Sequence, residues 1–326
     1  MQKKASAKWI WVTIAIIAVV FIIFALVVDI DALLEIFQHL HLGLFSIGVV
    51  FLLMGIVLIT IRWRFLLRNE PGFAPTFHAN SVSYMLKLLL PIPQAVTRLV
   101  TLSLVSSISM YQSAPLMVIE RFLETIMRLV ALTLAVVLIF EIPLWIAGLV
   151  IAAILLLGIP AFVTWFSRNA STVVPRLLSR SARIPDLSKE KLQEAMVDFQ
   201  NNISSMRAAR GITVAVGYSL AMWGLFLLFF IFGFQALGSD LNIRQIVAMS
   251  ATVLAILPPS TPAMIGVYQG IIVAFLLPFG FFDVNTATAY ALLMFGAQLV
   301  VWSILGIWGL RRTDIKISKL SQVSFD

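Results

Sequence analysis

Long apolar runs separated by short charged segments dominate the pattern of hydrophobic and polar positions along this chain. Such runs extend over residues 9–28, 44–61, 212–234 and 287–310, and another ends near Phe166. A helix of about 20 apolar residues is long enough to cross the hydrocarbon core of a bilayer. Each run therefore predicts a membrane-spanning helix, and the fold class is an all-α polytopic membrane protein.

The first of these runs resembles a signal peptide, because three lysines precede its apolar core. These are Lys3, Lys4 and Lys8. The run is nevertheless long enough to span a bilayer, and no small-residue cleavage site precedes Asp29. We expect it to be a retained first helix.

A charged stretch over residues 84–140 departs from this pattern. Its last apolar run, 129–140, makes only about 18 Å of helix, so a spanning helix has to reach back to Ala114. The 114–140 span then contains Glu120, Arg121, Glu124 and Arg128, which share one helical face. A charge inside the bilayer costs about 3 kcal/mol or more, so this face predicts a functional cavity. Alternatively, Glu124 and Arg128 neutralise each other and join two helices.

Prolines interrupt two further apolar segments. Pro91 and Pro93 lie between Lys87 and Arg98, and Pro258, Pro259 and Pro262 lie between the apolar arms 242–257 and 265–279. Broken helices expose backbone groups that are tolerated at membrane depth only within protein or along a cavity. The sequence therefore predicts two re-entrant hairpins, or two pairs of short spans, beside about six full spans.

The order of span, broken segment and span occurs twice, which predicts an inverted repeat within one domain, 1–326. The first copy covers 44–140 and the second 212–310. The 167–211 connection contains an amphipathic pattern (Leu192, Met196, Phe199, Ile203, Met206) and is expected to lie on the cytoplasmic surface. Matching interruptions in opposed halves are typical of a transporter's central site. The alternative is two unrelated helix kinks.

Composition and charge exclude several other classes of protein. The chain is 61% hydrophobic and 12% charged, has no cysteine and contains three scattered histidines, which argues against a soluble enzyme, disulfides or a metal centre. Its net charge of +8 follows the positive-inside rule when both termini, the 167–211 connection and the arginines that follow the 44–61 run (Arg62, Arg64, Arg68) are cytoplasmic. The charge therefore indicates topology in the cytoplasmic membrane rather than nucleic-acid binding.

The chain resembles the flippase-like membrane region of lysylphosphatidylglycerol synthases. Pro91 and Arg98 match the family's first hairpin, Glu120-Arg121-Phe122-Leu123-Glu124 matches its Glu-Arg-x-x-Asp helix, and Pro262 with Gly266 matches its second hairpin. The first hairpin here lacks the family's Gly-Glu, and Gln269 replaces its later Glu. The resemblance implies the lipid-handling half of these proteins and not their aminoacyl-transferase activity.

We therefore predict a transporter for a lipid with an anionic, phosphate-containing head group, without cofactor, metal or catalytic residues. Arg98, as the principal ligand and without a counter-ion in its own motif, would bind the phosphate together with Lys87 and Arg121. Glu120 and Glu124 would hold these cations on the face shared with Arg128. Ser260, Thr261, Tyr268 and Gln269 would supply neutral hydrogen bonds from the second hairpin, and Gly266 and Gly270 would allow close helix packing.

Two other functions remain open from the sequence. Glu120 and Glu124 are a carboxylate pair suited to acid–base work, as in a membrane-embedded transferase acting on a lipid-linked substrate. A charged face that binds only a partner helix would instead fit a non-transporting accessory subunit of a lipid or glycan pathway.

Overall fold

The structure is a computed structural model that describes residues 29–67, 69–89, 94–106, 108, 110–162, 164–165, 168–169, 172, 209–239, 241–256 and 267–313. Every regular element in these ranges is helical, as the apolar runs predicted. Ten α-helices lie in this part of the chain: α1 Ile30–Gln38, α2 Leu42–Leu66, α3 Phe73–Leu89, α4 Gln94–Val105, α5 Met110–Ile139, α6 Leu144–Ala153, α7 Ala209–Ala236, α8 Ile243–Ala255, α9 Val267–Leu276 and α10 Val284–Thr313. Helix α6 continues through a π-helical turn, Ile154–Gly158, and α9 through a 3₁₀ turn, Leu277–Phe279.

Five of the described helices are long and apolar enough to cross a membrane. They are Leu42–Leu66, Ser113–Ile139, Leu144–Phe162, Thr213–Ala236 and Val284–Thr313. Their outward surfaces remain apolar, as Leu132 on α5 and Ile304 on α10 illustrate. Helices that are apolar all round require lipid or protein on every side. The protein is thus a multi-pass membrane protein, and the predicted first span, 9–28, lies outside the described residues.

Most helices extend beyond the apolar runs that predicted them. The run 44–61 belongs to α2, which continues to Leu66 and so contains Arg62 and Trp63. Our prediction that Arg62 lies beyond the span is therefore wrong, while the cytoplasmic orientation of this end of the helix stays a prediction. A helix continues through a charged residue when packing supplies that charge with a partner.

A short helix that the sequence analysis did not predict precedes the first described span. Asp29 caps α1, because its side-chain Oδ1 accepts hydrogen bonds from the backbone N–H groups of Asp31 and Ala32 at 3.0 and 3.2 Å. Leu33 packs against Ala289 near the start of α10. The acidic segment after the predicted first span therefore forms a helix docked on the last span.

The arms of the first broken segment, α3 and α4, lie against each other. The Thr101 hydroxyl donates to the Ala79 carbonyl at 3.1 Å, and Tyr84 stacks on Trp302 of α10 with ring centroids 3.6 Å apart. A Cβ placed at Gly306 would overlap the Met85 side chain, so glycine allows α3 and α10 to approach closely. Pro91 and Pro93 lie outside the described residues.

The arms of the second broken segment, α8 and α9, pack against different spans. Asn242 and Gln245 form a capping box at the start of α8, and Arg244 Nε donates to the Leu138 carbonyl of α5 at 3.0 Å. Helix α9 packs on α10. A Cβ placed at Gly270 would meet no atom of the described residues within 4 Å beyond its own helix, so close helix packing at this glycine is not seen among them. The predictions for Pro258, Pro259, Pro262 and Gly266 fall outside the described residues, as does most of the 167–211 connection.

Candidate functional site

The carboxylate of Glu120 is the centre of a buried charge cluster. Glu120 is 3% exposed, and its Oε1 accepts hydrogen bonds from Arg62 Nη2 at 2.8 Å, Trp63 Nε1 at 2.7 Å and Arg98 Nη1 at 2.6 Å. Its second oxygen accepts from the same Arg98 nitrogen at 2.8 Å. A buried carboxylate is tolerated when paired and hydrogen-bonded in this way.

This cluster ties four helices together. Arg62 and Trp63 come from the last turns of α2, Arg98 from α4 and Glu120 from α5, while Arg62 Nη1 also donates to Ser219 of α7 at 3.1 Å. We name Arg62, Trp63, Arg98, Glu120 and Ser219 the Glu120 cluster. The Arg98 guanidinium lies 4.8 Å from the Trp63 ring centroid, within range of a cation–π contact.

The expectation that the missing motif acid leaves Arg98 freer for a ligand is not met, because Glu120 neutralises it. The first hairpin has no acid of its own, but the fold brings Glu120 to Arg98 from a different helix. Arg98 is 3% exposed and does not line the cavity described next. Its role as a direct anion ligand stays a prediction.

A cavity of about 380 Å³ lies beside the Glu120 cluster. Its polar wall contains Arg62, Lys87, Arg121, Glu124 and Arg128. The remaining wall is largely aromatic and aliphatic, with Tyr84, Trp223, Phe226, Phe229, Phe230, Tyr268, Phe295 and Trp302 among its members. The cavity therefore joins a basic surface to an apolar one, and three members of the predicted charged face of α5, Arg121, Glu124 and Arg128, line it, while the fourth, Glu120, does not.

Within this wall, Glu124 pairs with Arg121 rather than with Arg128. The distance from Arg121 Nη1 to Glu124 Oε2 is 3.0 Å, and the two side chains are 50% and 23% exposed. No ion pair links Arg128 to any carboxylate among the described residues, and its buried Nε has no hydrogen-bond partner there. The alternative interpretation, in which Glu124 and Arg128 neutralise each other, is therefore wrong for this conformation. We name Lys87, Arg121, Glu124 and Arg128 the cavity group.

The second broken segment contributes differently from our expectation. Tyr268 lines the cavity, and its hydroxyl accepts a hydrogen bond from Gln298 Nε2 of α10 at 3.1 Å. Gln269 is buried but is not among the residues that line the cavity. Ser260 and Thr261 lie outside the described residues, so their predicted hydrogen bonds remain predictions.

Sequence reasoning missed Arg62, Trp63, Ser219 and Gln298. For Arg62 a signal was present, because Ile59, Arg62, Trp63 and Leu66 follow the i, i+3, i+4, i+7 spacing of one helical face, and all four are buried. Arg64 lies off that face and donates instead to the Pro71 carbonyl at 3.0 Å. For Ser219 and Gln298, no comparable pattern distinguishes them from other polar residues in apolar helices.

Comparison with known proteins identifies the family of this chain. The family model described as lysylphosphatidylglycerol synthase TM region matches residues 10–306, which is most of the chain. No curated protein and no solved structure matches it. The match confirms the resemblance that the short motifs indicated, and a lipid-related membrane function fits it. The chain belongs to the lysylphosphatidylglycerol synthase TM region family.

Proposed function

We propose that this protein binds a lipid with an anionic head group in the cavity and moves it between the two leaflets, without covalent chemistry on the lipid. The observation that supports the proposal is the division of the cavity wall. Lys87, Arg121 and Arg128 with Arg62 form its basic part, and aromatic and aliphatic side chains form the rest. An amphipathic lipid has the same division between head group and acyl chains.

The cations of the cavity wall suit a phosphate ligand. Arginine presents several N–H donors in a planar fork that matches phosphate oxygens, and its charge persists at every physiological pH. Arg62, Arg98 and Arg128 each have a buried Nε without a hydrogen-bond partner in the described part of the chain, and Arg62 and Arg128 line the cavity. A buried donor without a partner costs about 1–3 kcal/mol, and a bound phosphate would remove that cost.

The Glu120 cluster would act as support for this site. Arg62 belongs to both the cluster and the cavity wall, so the hydrogen bond from Arg62 to Glu120 fixes where its guanidinium meets a ligand. Arg98 would hold Glu120 in place rather than bind the lipid directly, although direct binding in another conformation remains a proposal. The remaining predicted residues, Ser260, Thr261 and Gln269, are proposed as secondary contacts.

We also propose that the two broken segments form an inverted repeat around this cavity, with both termini in the cytoplasm. In support, α3 and α10 pack together where Val82 and the His78 backbone approach Gly309, near the basic end of α10. By contrast, α8 begins beside the other end of the bundle, next to Leu138 of α5. Opposed hairpins meeting at one site are the arrangement with which transporters alternate access.

Transport is tested by reconstituting the purified protein into liposomes with fluorescent phosphatidylglycerol and measuring how much label becomes accessible to a quencher outside. Wild-type protein should make the inner-leaflet label accessible, and Arg128→Gln should slow this strongly. Arg244→Gln is the matched control, because Arg244 is a partly exposed arginine in a long 3.8 Å ion pair with Glu141, away from the cavity. A folded wild-type protein that neither binds nor moves the lipid would refute the proposal.

Topology is tested separately, since the chain contains no native cysteine. Cysteines replacing Ser188 and Ser318 should react with an impermeant thiol reagent only after the inner membrane face is exposed. A cysteine replacing Leu34, which is exposed on α1, should react in intact cells. Reaction of the first two from outside would contradict the proposed orientation.

A further inference from the structure

We infer that the preferred lipid carries at least two negative charges on its head group, as a phosphate monoester or a diphosphate does. This inference rests on the proposed function and deepens it, because it names the charge class of the ligand. It follows from the balance of charges around the cavity rather than from the presence of any single residue.

Positive charge exceeds negative charge in this region. Arg121 and Glu124 balance each other at 3.0 Å, whereas the single carboxylate of Glu120 serves both Arg62 and Arg98. The Glu120 cluster is therefore left with one positive charge. Because Arg62 lines the cavity, this excess positive charge lies at the cavity wall.

Lys87 and Arg128 add to this excess. Both line the cavity, and neither has a carboxylate oxygen within 4.0 Å among the described residues. The surplus in the described part of the site is then three positive charges. It is still two if Lys87 is neutral, because arginine does not lose its proton in proteins.

A head group with a single charge compensates only part of this surplus. A phosphodiester contributes one negative charge, which leaves at least one further cation of the cavity wall without a counter-ion among the described residues. A phosphate monoester carries about −1.5 to −2 charges at neutral pH and three strong acceptor oxygens. Such a group has enough charge and enough acceptor oxygens to bind Arg62, Arg128 and Lys87 together.

The same balance disfavours a head group that bears an ammonium. The carboxylate of Glu124 is the acidic group on the described cavity wall, and Arg121 already donates to it. A cationic group would therefore face Lys87 and Arg128, which have no ion-pair partner among the described residues, together with the excess charge of the Glu120 cluster, for one occupied carboxylate. In a zwitterionic head group, these basic side chains would attract the phosphate and repel the ammonium.

The cavity also indicates a lipid rather than a soluble phosphate. Its volume of about 380 Å³ exceeds the needs of a phosphate, and Trp223, Phe226 and Trp302 lie in its apolar wall. Pockets for organic ligands occupy about 300–1,000 Å³, so this one accommodates a head group with the adjoining part of its chains. Burial of that apolar part would make the lipid bind more tightly than free glycerol phosphate.

The experiment compares four probes with detergent-solubilised full-length protein: dioctanoyl phosphatidic acid, dioctanoyl phosphatidylglycerol, dioctanoyl phosphatidylethanolamine and glycerol 3-phosphate. Binding is followed by intrinsic tryptophan fluorescence, since Trp223 and Trp302 line the cavity. Phosphatidic acid should bind about tenfold or more tightly than phosphatidylglycerol, because one further charged contact contributes about that factor. The other two probes should bind more weakly still.

Changing the pH supplies an independent readout. The second ionisation of a phosphate monoester has a pKa of about 6, so lowering the pH from 8 to 5 removes one negative charge from phosphatidic acid. Its affinity should fall towards that of phosphatidylglycerol, whose own affinity serves as the control for titration of the protein. Arg128→Gln should reduce the preference for phosphatidic acid, and Arg244→Gln should leave it unchanged.

The outcomes separate the two proposals. Equal, pH-independent affinities for phosphatidic acid and phosphatidylglycerol would overturn this inference while leaving anionic-lipid binding intact. Equal affinities for phosphatidic acid and glycerol 3-phosphate would overturn the assignment to a lipid. Failure of the folded protein to bind any of the lipids would overturn both this inference and the proposed function.

Discussion

Glu120 and Glu124 lie one turn apart on α5, yet their surroundings differ in almost every physical respect. Glu120 is buried and receives hydrogen bonds from Arg62, Trp63 and Arg98, which arrive from two other helices. Glu124 is partly exposed to the cavity and has a neighbour on its own helix, Arg121, as its ion-pair partner. Two glutamates on one helical face therefore have different roles. Glu120 holds the fold together, and Glu124 lines the space where a ligand would bind.

The difference teaches that intramembrane charge is not evidence of a ligand site until its partners are known. Arg62 and Arg98 of the Glu120 cluster both form ion pairs with that carboxylate, whereas Arg128 and Lys87 in the cavity group have no ion-pair partner among the described residues. We therefore expect changes in the Glu120 cluster to affect stability first and changes in the cavity group to affect ligand binding first.

Replacing Glu120 should have the largest effect on stability. Glu120→Gln leaves Arg62 and Arg98 with buried charges and no counter-ion in the cluster. Loss of one partner from a buried ion pair costs about 3–5 kcal/mol. Thermal unfolding in detergent should show this loss for Glu120→Gln, while Glu124→Gln, the matched control on the same helix, should change stability by less than about 1 kcal/mol. Equal losses in the two variants would contradict the comparison.

Removing Arg98 should have a smaller but clear effect. Glu120 keeps Arg62 and Trp63 as donors in Arg98→Ala, so the loss is that of one charged hydrogen-bond partner, about 1.5–3 kcal/mol. Denaturant unfolding monitored by circular dichroism measures it. The folded fraction of Arg98→Ala should retain more binding of phosphatidylglycerol than Arg128→Gln. A fully stable Arg98→Ala protein that no longer binds this lipid would instead establish Arg98 as the principal anion ligand.

A substitution that alters no charge can also test the comparison between the Glu120 cluster and the cavity group, by displacing Lys87. In Gly306→Ala the new methyl group would overlap Met85 on α3, the helix that also bears Tyr84 and Lys87. Overpacking of this kind costs about 1–3 kcal/mol and should weaken lipid binding by shifting Lys87. Gly296→Ala is the control on the same helix, because a methyl group there meets no atom of the described residues within 4 Å beyond its own helix. Similar stability of the two variants would show that α3 does not pack as described.

The smallest effect is expected for the pair within the cavity group. A double-mutant cycle with Arg121→Gln and Glu124→Gln should give a coupling free energy of about 0–1 kcal/mol in stability, because the pair is partly exposed. The cycle with Glu124→Gln and Arg128→Gln should give less, since no ion pair joins those two side chains. A larger coupling in the second cycle would restore the interpretation in which Glu124 and Arg128 neutralise each other.

The helical period was sufficient to predict the charged face of α5, and the cavity does contain Arg121, Glu124 and Arg128. The partners of Glu120 were not predictable in the same way. They are separated from it by 22, 57 and 58 positions in the chain, on α4 and α2. Sequence periodicity reports which residues share a face of one helix and carries no information about which other helix meets that face.

Arg62 is a second residue whose surroundings could not be predicted from the sequence. Its position at the end of an apolar run is typical of an interfacial, cytoplasmic residue, and the positive-inside pattern was consistent with that placement. Burial of Arg62 at 1% exposure depends on Glu120 and Ser219 arriving from α5 and α7. The free energy of burying a guanidinium is set by its partners, and those are fixed only when the helices pack.

The sequence by itself determined the membrane class, the family, the apolar spans and the face of α5 that carries charge. The membrane class, the spans and the charged face are consequences of local composition and period, which act over one helix at a time, whereas the family was indicated by the resemblance of short motifs. The tertiary structure decided which charges are neutralised and which remain for a ligand: Arg98 lies with Glu120 behind the cavity wall, and Arg128 lies on that wall without a counter-ion among the described residues. The reason is that a direct ion pair or hydrogen bond forms only across a few ångströms, and helix packing alone brings distant parts of the chain that close.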